Sequence, residues 1–125
     1  MMLLHRHWIM TFRLLSLLSI ISIAYLAFTP VSSSQILASS DKVLHAFAFF
    51  VVLFLLDFSF PKSPITWQKL TFCLSFAVFI ELVQAQLPYR DFSVLDMLAD
   101  LVGLLIYWAV LPILRFVPIL KARWQ

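Results

Sequence analysis

Ser93-Val94-Leu95-Asp96-Met97-Leu98-Ala99-Asp100-Leu101-Val102-Gly103-Leu104-Leu105-Ile106-Tyr107 is the stretch that decides the fold. Its apolar character continues to Leu114, and ~20 mostly apolar residues are what a membrane-crossing helix needs. Ser93 can cap that helix, because a serine hydroxyl accepts from a free first-turn N–H. Asp96, Asp100, Gly103 and Tyr107 then recur at steps of four, three and four, which is one helical face. Gly103 on that face lets a neighbouring helix come close, so the stripe points into a bundle and carries its two acids with it. A turn apart, those carboxylates repel unless Arg90, Lys42 or His45 neutralises them or one holds a proton.

Outward from this stretch, three more apolar segments run from Trp8 to Phe28, Val43 to Phe60 and Leu70 to Leu87. The chain is 63% hydrophobic and 12% charged, with a mean hydropathy of +1.01. Soluble domains are roughly 45–50% apolar, so 125 residues folded in water would leave that surface unhidden. Thr29 to Ser40, Pro61 to Thr66 and Pro88 to Ser93 are rich in Pro, Ser and Thr and read as connections. Gly103 is the single glycine, which argues against strands and tight turns. The expectation is an all-α, polytopic membrane protein of four transmembrane helices, one domain over residues 1–125. Arg6 and Arg13 ahead of Leu14 to Phe28, with Val31-Ser32-Ser33-Ser34 after it, also resemble a cleavable secretory signal. The length of the apolar run favours a retained anchor over residues 8–28.

Basic residues set the expected orientation. Arg6, Arg13, Lys62, Lys69, Arg115, Lys121 and Arg123 fall at one set of helix ends, and Lys42 and Arg90 at the other. Both termini should then face the cytoplasm in a multi-pass inner-membrane protein. Trp8, Trp67, Trp108 and Trp124 map to the basic ends, Tyr25 and Tyr89 to the opposite ends. The net charge of +3 is thus a topology signal, and nothing in its distribution suggests nucleic acid. Cys73, the lone cysteine, sits inside the third segment and reads as a small packing residue. It offers neither an intrachain disulfide nor a thiolate metal site, and no cofactor or metal site is expected.

Five of the six acidic residues, Asp41, Glu81, Asp91, Asp96 and Asp100, fall near the ends of the apolar segments that should face out. Ser40 or Asp41 can cap the second helix, with Asp41 favouring its positive N-terminal dipole. Asp41 and His45 are four apart and share a face. Glu81 and Gln84 share a face of the third helix. If that helix runs to Leu87, Glu81 lies about 10 Å into the membrane at 1.5 Å per residue, where an ionised carboxylate costs at least ~2–3 kcal/mol unless paired or hydrated. His45, Glu81, Gln84, Asp96 and Asp100 can therefore converge in one pocket.

The strings Asp41-Lys42-Val43-Leu44-His45-Ala46-Phe47, Glu81-Leu82-Val83-Gln84 and Pro88-Tyr89-Arg90-Asp91-Phe92-Ser93, followed by Asp96 and Gly103, resemble the VanZ-like family of small bacterial membrane proteins, over residues 40–107. The resemblance implies a polytopic helical fold and, through the family's namesake, a link to low-level resistance to the glycopeptide teicoplanin. It also implies a polar set made here of Asp41, Lys42, His45, Glu81, Gln84, Arg90 and Asp96. Asp100 stands where the family usually shows Asn, and Tyr107 where a small residue is common.

Three functions fit these residues. The first is binding or modifying an envelope lipid or lipid-linked precursor, with Arg90 and Lys42 meeting phosphate and the carboxylates or His45 handling hydroxyls or protons. The second is a proton- or cation-linked element built on Glu81, Asp96 and Asp100. The third is a polar cluster that only fixes helix packing. No nucleophile stands at fixed spacing from His45 and no glycine loop cradles phosphate, so an enzyme reading has no motif behind it.

Overall fold

The computed structural model describes residues 2–30, 38–63 and 66–124. Four helices follow in order: α1 Met2–Phe28, α2 Ala38–Ser59, α3 Trp67–Gln84 and α4 Val94–Leu114, with a short 3-10 helix at Pro118–Trp124. The connection from α1 to α2 expected at Thr29 to Ser40 falls mostly outside the described residues. Ser40 and Asp41 lie inside the first turn of α2 rather than ahead of it. Neither is therefore the cap expected of them, and the residues ahead of Ala38 lie outside the described ones, while Asp41 keeps its favourable place near the positive helix end.

α2 is the central element and packs on each of the other three helices, most extensively on α4. Gly103 explains how closely those two approach. A Cβ built there would collide with the Ala46 carbonyl oxygen and stand 2.8 Å from its carbon and 3.0 Å from its Cα. Below that crossing, Phe49, Val52, Leu53 and Phe58 of α2 meet Cys73, Ala77 and Ile80 of α3 and Leu104 and Tyr107 of α4 in one buried core. From α1, Trp8 and Phe12 pack against Phe58 with their rings tilted, centroids 5.8 and 5.3 Å apart.

The helices alternate in direction, so Trp8 and Trp124 both reach Phe58 at one end of the bundle. Both termini therefore lie at a single end, here called the basic end, and His45 with Asp96 lies at the other, the acidic end. Leu14, Leu17, Leu18 and Ile21 of α1, Phe47 of α2, Phe79 and Leu82 of α3 and Leu98 and Leu105 of α4 are exposed. Asp57, Glu81 and Asp100 are buried instead. Apolar outside and acidic inside is the inverse of a water-soluble fold and the arrangement hydrocarbon demands.

Among the described residues, three helices are long and apolar enough to cross a membrane: His5–Phe28, Ser40–Ser59 and Val94–Leu114. The third expected span does not meet that standard. α3 stops at Gln84 rather than Leu87, because the chain turns there, with the Leu87 N–H donating to the Gln84 carbonyl at 3.0 Å. Glu81 thus sits in the last turn of α3, and the depth of about 10 Å expected from a helix ending at Leu87 is too large. With Lys69 and Glu81 near its two ends, the apolar centre of α3 is only Leu70 to Ile80.

Candidate functional site

The acidic end is built from α2 and α4. Ser93 caps α4 as expected: its hydroxyl accepts from the Asp96 N–H at 3.2 Å. With the start of α4 fixed, Asp96, Asp100, Gly103 and Tyr107 form its buried stripe. The Gly103 contact then holds this stripe against the first turns of α2. His45 is the bridge. Its Nδ1 lies 2.9 Å from Asp100 Oδ1, and its Nε2 lies 3.6 Å from Asp96 Oδ2. Lys42, a turn earlier, places its ammonium on Asp96 Oδ1 and stands 4.0 Å from Asp41 Oδ2. Asp41, His45 and Asp96 each offer one atom to a shared point, all within 4.8 Å of one another.

Glu81 reaches the same end from α3. One oxygen accepts the Ser93 N–H at 2.8 Å. Its other oxygen, Oε1, is buried and has no hydrogen-bond partner among the described residues, and the same holds for Oδ2 of Asp100. Neither residue is open to solvent, Glu81 being 0% and Asp100 1% exposed. Asp41, Glu81, Asp96 and Asp100 thus bring four carboxyl groups to an end where Lys42 and His45 are the basic groups paired with them.

Gln84 and Arg90 are turned elsewhere. The last four carbonyls of a helix have no partner within it, and in α1 each finds a side chain. Thr29 donates to the Tyr25 carbonyl at 2.6 Å, Arg90 to Leu26 at 3.1 Å, Gln84 to Ala27 at 2.9 Å and Tyr89 to Phe28 at 2.6 Å. Arg90 also donates to the Thr29 carbonyl at 3.0 Å. These contacts seat the end of α1 on the α3–α4 connection.

The profile described as VanZ/LLP1 matches residues 2–115. The chain belongs to the VanZ/LLP1 family. The match takes in α1, the helix read from the sequence as an anchor, as well as the stretch from residue 40 to 107. No curated protein and no solved structure matches the chain.

This VanZ/LLP1 protein carries a second polar cluster, at the basic end, around the sixth acidic residue. Asp57 is 0% exposed and accepts four hydrogen bonds. Lys69 Nζ donates at 2.6 Å, Tyr107 Oη at 2.7 Å, and Arg123 through Nη2 at 3.0 Å and Nε at 3.2 Å. Lys69 also donates to the Phe60 and Ser63 carbonyls, and Arg123 to those of Pro61 and Ser63. Two of the seven basic residues counted for orientation are therefore buried partners of one carboxylate. A cavity of about 260 Å³ opens beside Phe60, Thr66 and Lys69, away from the His45 end. The donors of Lys69 are already committed, so this cavity borders the saturated cluster without drawing on its charge. Sequence reading missed Asp57 because its partners lie 12, 50 and 66 residues away. The available signal was an acid within an apolar run, which in a membrane requires a cation.

Proposed function

We propose that this protein is a multi-pass component of the bacterial inner membrane, both termini in the cytoplasm, whose acidic end faces outward and binds the headgroup of an envelope lipid or lipid-linked precursor. One observation carries the reading: the contrast between the two clusters. A cluster that serves packing alone should have its buried polar atoms paired, since each orphan costs about 1–3 kcal/mol. The Asp57 cluster meets that standard with four donors on one carboxylate. The His45 cluster does not, because Glu81 Oε1 and Asp100 Oδ2 lack donors.

Two acceptors without donors favour a ligand that brings hydroxyl or ammonium groups, as sugar and amino headgroups do. Asp100, 2.9 Å from His45 Nδ1, fixes the imidazole at the edge of this site. The half-buried Asp41 and Lys42 form the rim. The direct role for Arg90 on phosphate is weakened, because its Nη2 donates to the Leu26 and Thr29 carbonyls, although its buried Nε has no partner among the described residues.

Mass spectrometry of lipids that co-purify with the protein tests this. One headgroup class should be enriched with the parent and lost with Glu81→Gln, while bulk lipids stay the same. Identical lipid profiles from the two proteins would return the cluster to packing. In cells, the same variant should cancel any change in glycopeptide sensitivity that the parent produces.

A further inference from the structure

We infer that the rim of the acidic end is a binding site for a divalent transition-metal ion, held by His45 Nε2 and by carboxylate oxygens of Asp96 and Asp41. The His45 Nε2 to Asp96 Oδ2 distance of 3.6 Å is too long for a hydrogen bond. It is close to the ~3.4 Å that separates two ligands sitting about 2.1 Å from a tetrahedral ion. Asp41, one turn before His45, supplies the third atom within 4.8 Å, and a half-buried side chain at a helix start can swing inward.

The imidazole is already oriented for this. Asp100 Oδ1, 2.9 Å from Nδ1, accepts its N–H and leaves the Nε2 lone pair facing Asp96, the carboxylate–histidine–metal arrangement of many sites. Asp100 is therefore a positioning residue, and its second oxygen, buried without a donor, adds negative charge behind the ring. Lys42 occupies Asp96 Oδ1, the oxygen the ion does not need. One imidazole with two carboxylates suits Mn²⁺ or Zn²⁺, whereas Ca²⁺ and Mg²⁺ seek oxygen alone. Coordination positions left on the ion would face outward and could take a lipid phosphate, the anion that the carboxylates alone would repel. This last step rests on the headgroup reading, while binding of the ion does not.

The test uses the full chain in lipid-free detergent with His5→Gln and His7→Gln, which removes the only other imidazoles, and with no histidine tag. Titration with Mn²⁺ followed by electron paramagnetic resonance, then competition by Zn²⁺, should show one saturable site per chain. His45→Gln and Asp96→Asn should each weaken it at least tenfold, with helicity by circular dichroism unchanged. Lys42→Gln should tighten it several-fold by removing a like charge a few ångströms away. No saturable binding, or binding unaffected by His45→Gln in a folded protein, would overturn the site. Lipid recovery repeated in chelator separates the two readings: headgroup enrichment that survives chelation leaves the lipid without the ion, and metal binding without enrichment leaves the ion without the lipid.

Discussion

Tyr107 Oη and Asp57 Oδ2 meet at 2.7 Å between α4 and α2, on the same α4 stripe that presents Asp96 and Asp100 to His45 three turns away. One helical face thus serves a saturated ionic cluster at the basic end and an unsaturated one at the acidic end. The phenol is what the packing there needs, a long side chain that, alone of α4 among the described residues, hydrogen-bonds the Asp57 carboxylate.

Removing Asp57 should be the most damaging single change in the chain. Asp57→Ala strands the buried ammonium of Lys69 and guanidinium of Arg123, a loss of about 3–5 kcal/mol. Tyr107→Phe removes one of four donors to a charged group and should cost about 1.5–3 kcal/mol. Thermal unfolding of the detergent-solubilised protein should rank parent, Tyr107→Phe and Asp57→Ala in that order. A melting temperature for Asp57→Ala equal to the parent's would mean that the cluster contributes nothing.

Gly103→Ala should separate α2 from α4. The added methyl meets backbone atoms of Ala46, which cannot turn aside as a side chain can, and overpacking of this kind costs about 1–3 kcal/mol. Because the same crossing sets the distance between His45 and Asp96, metal affinity and stability should fall together. The variant Leu105→Ala, on the exposed side of α4, is the control and should change neither.

Glu81→Gln and Asp96→Asn separate function from packing. Each amide still offers an oxygen acceptor, so Ser93 keeps its partner and the helices should insert and melt as in the parent. Lipid enrichment and any effect on glycopeptide sensitivity should nevertheless disappear. Two amide variants that behave as the parent in cells would favour packing.

A reporter that fluoresces only in the cytoplasm should light up when fused after Gln125. The expectation now rests on Arg6, Arg13, Lys62, Arg115 and Lys121, since Lys69 and Arg123 are buried against Asp57. Fluorescence from a second fusion at the N-terminus should match it, because both termini share one end of the bundle. A dark fusion at Gln125 that is active as a periplasmic reporter would reverse the orientation.

The helices were legible because hydrocarbon imposes its length on the sequence: α4 begins and ends where Ser93 and Leu114 say it should. The stripe of Asp96, Asp100 and Gly103 was legible because helical spacing is local. Its meeting with His45 could be anticipated because both acids and imidazole stood near matching helix ends. What could not be read was pairing at long range. Arg123 looks like part of a basic cytoplasmic tail, and only the 3-10 turn of Pro118–Trp124 brings it back under the bundle to Asp57. The end of α3 was misjudged for a related reason. Leu87 continues the apolar pattern, but the turn that seats Gln84, Tyr89 and Arg90 on α1 interrupts the helix first.

That seat has a consequence for how the sequence can change over time. Gln84, Tyr89 and Arg90 grip carbonyl oxygens of α1, which every residue type presents alike, so the far end of α1 is recognised by its shape and not by its spelling. Leu14, Leu17, Leu18 and Ile21 are exposed and face lipid, which asks only that they be apolar. The exposed side of α1 is therefore free to drift among apolar residues, whereas Ile20, Ile23, Ala27 and Phe28, which pack on the core, are held to side chains of their size, and the helix must end where these three side chains wait for it.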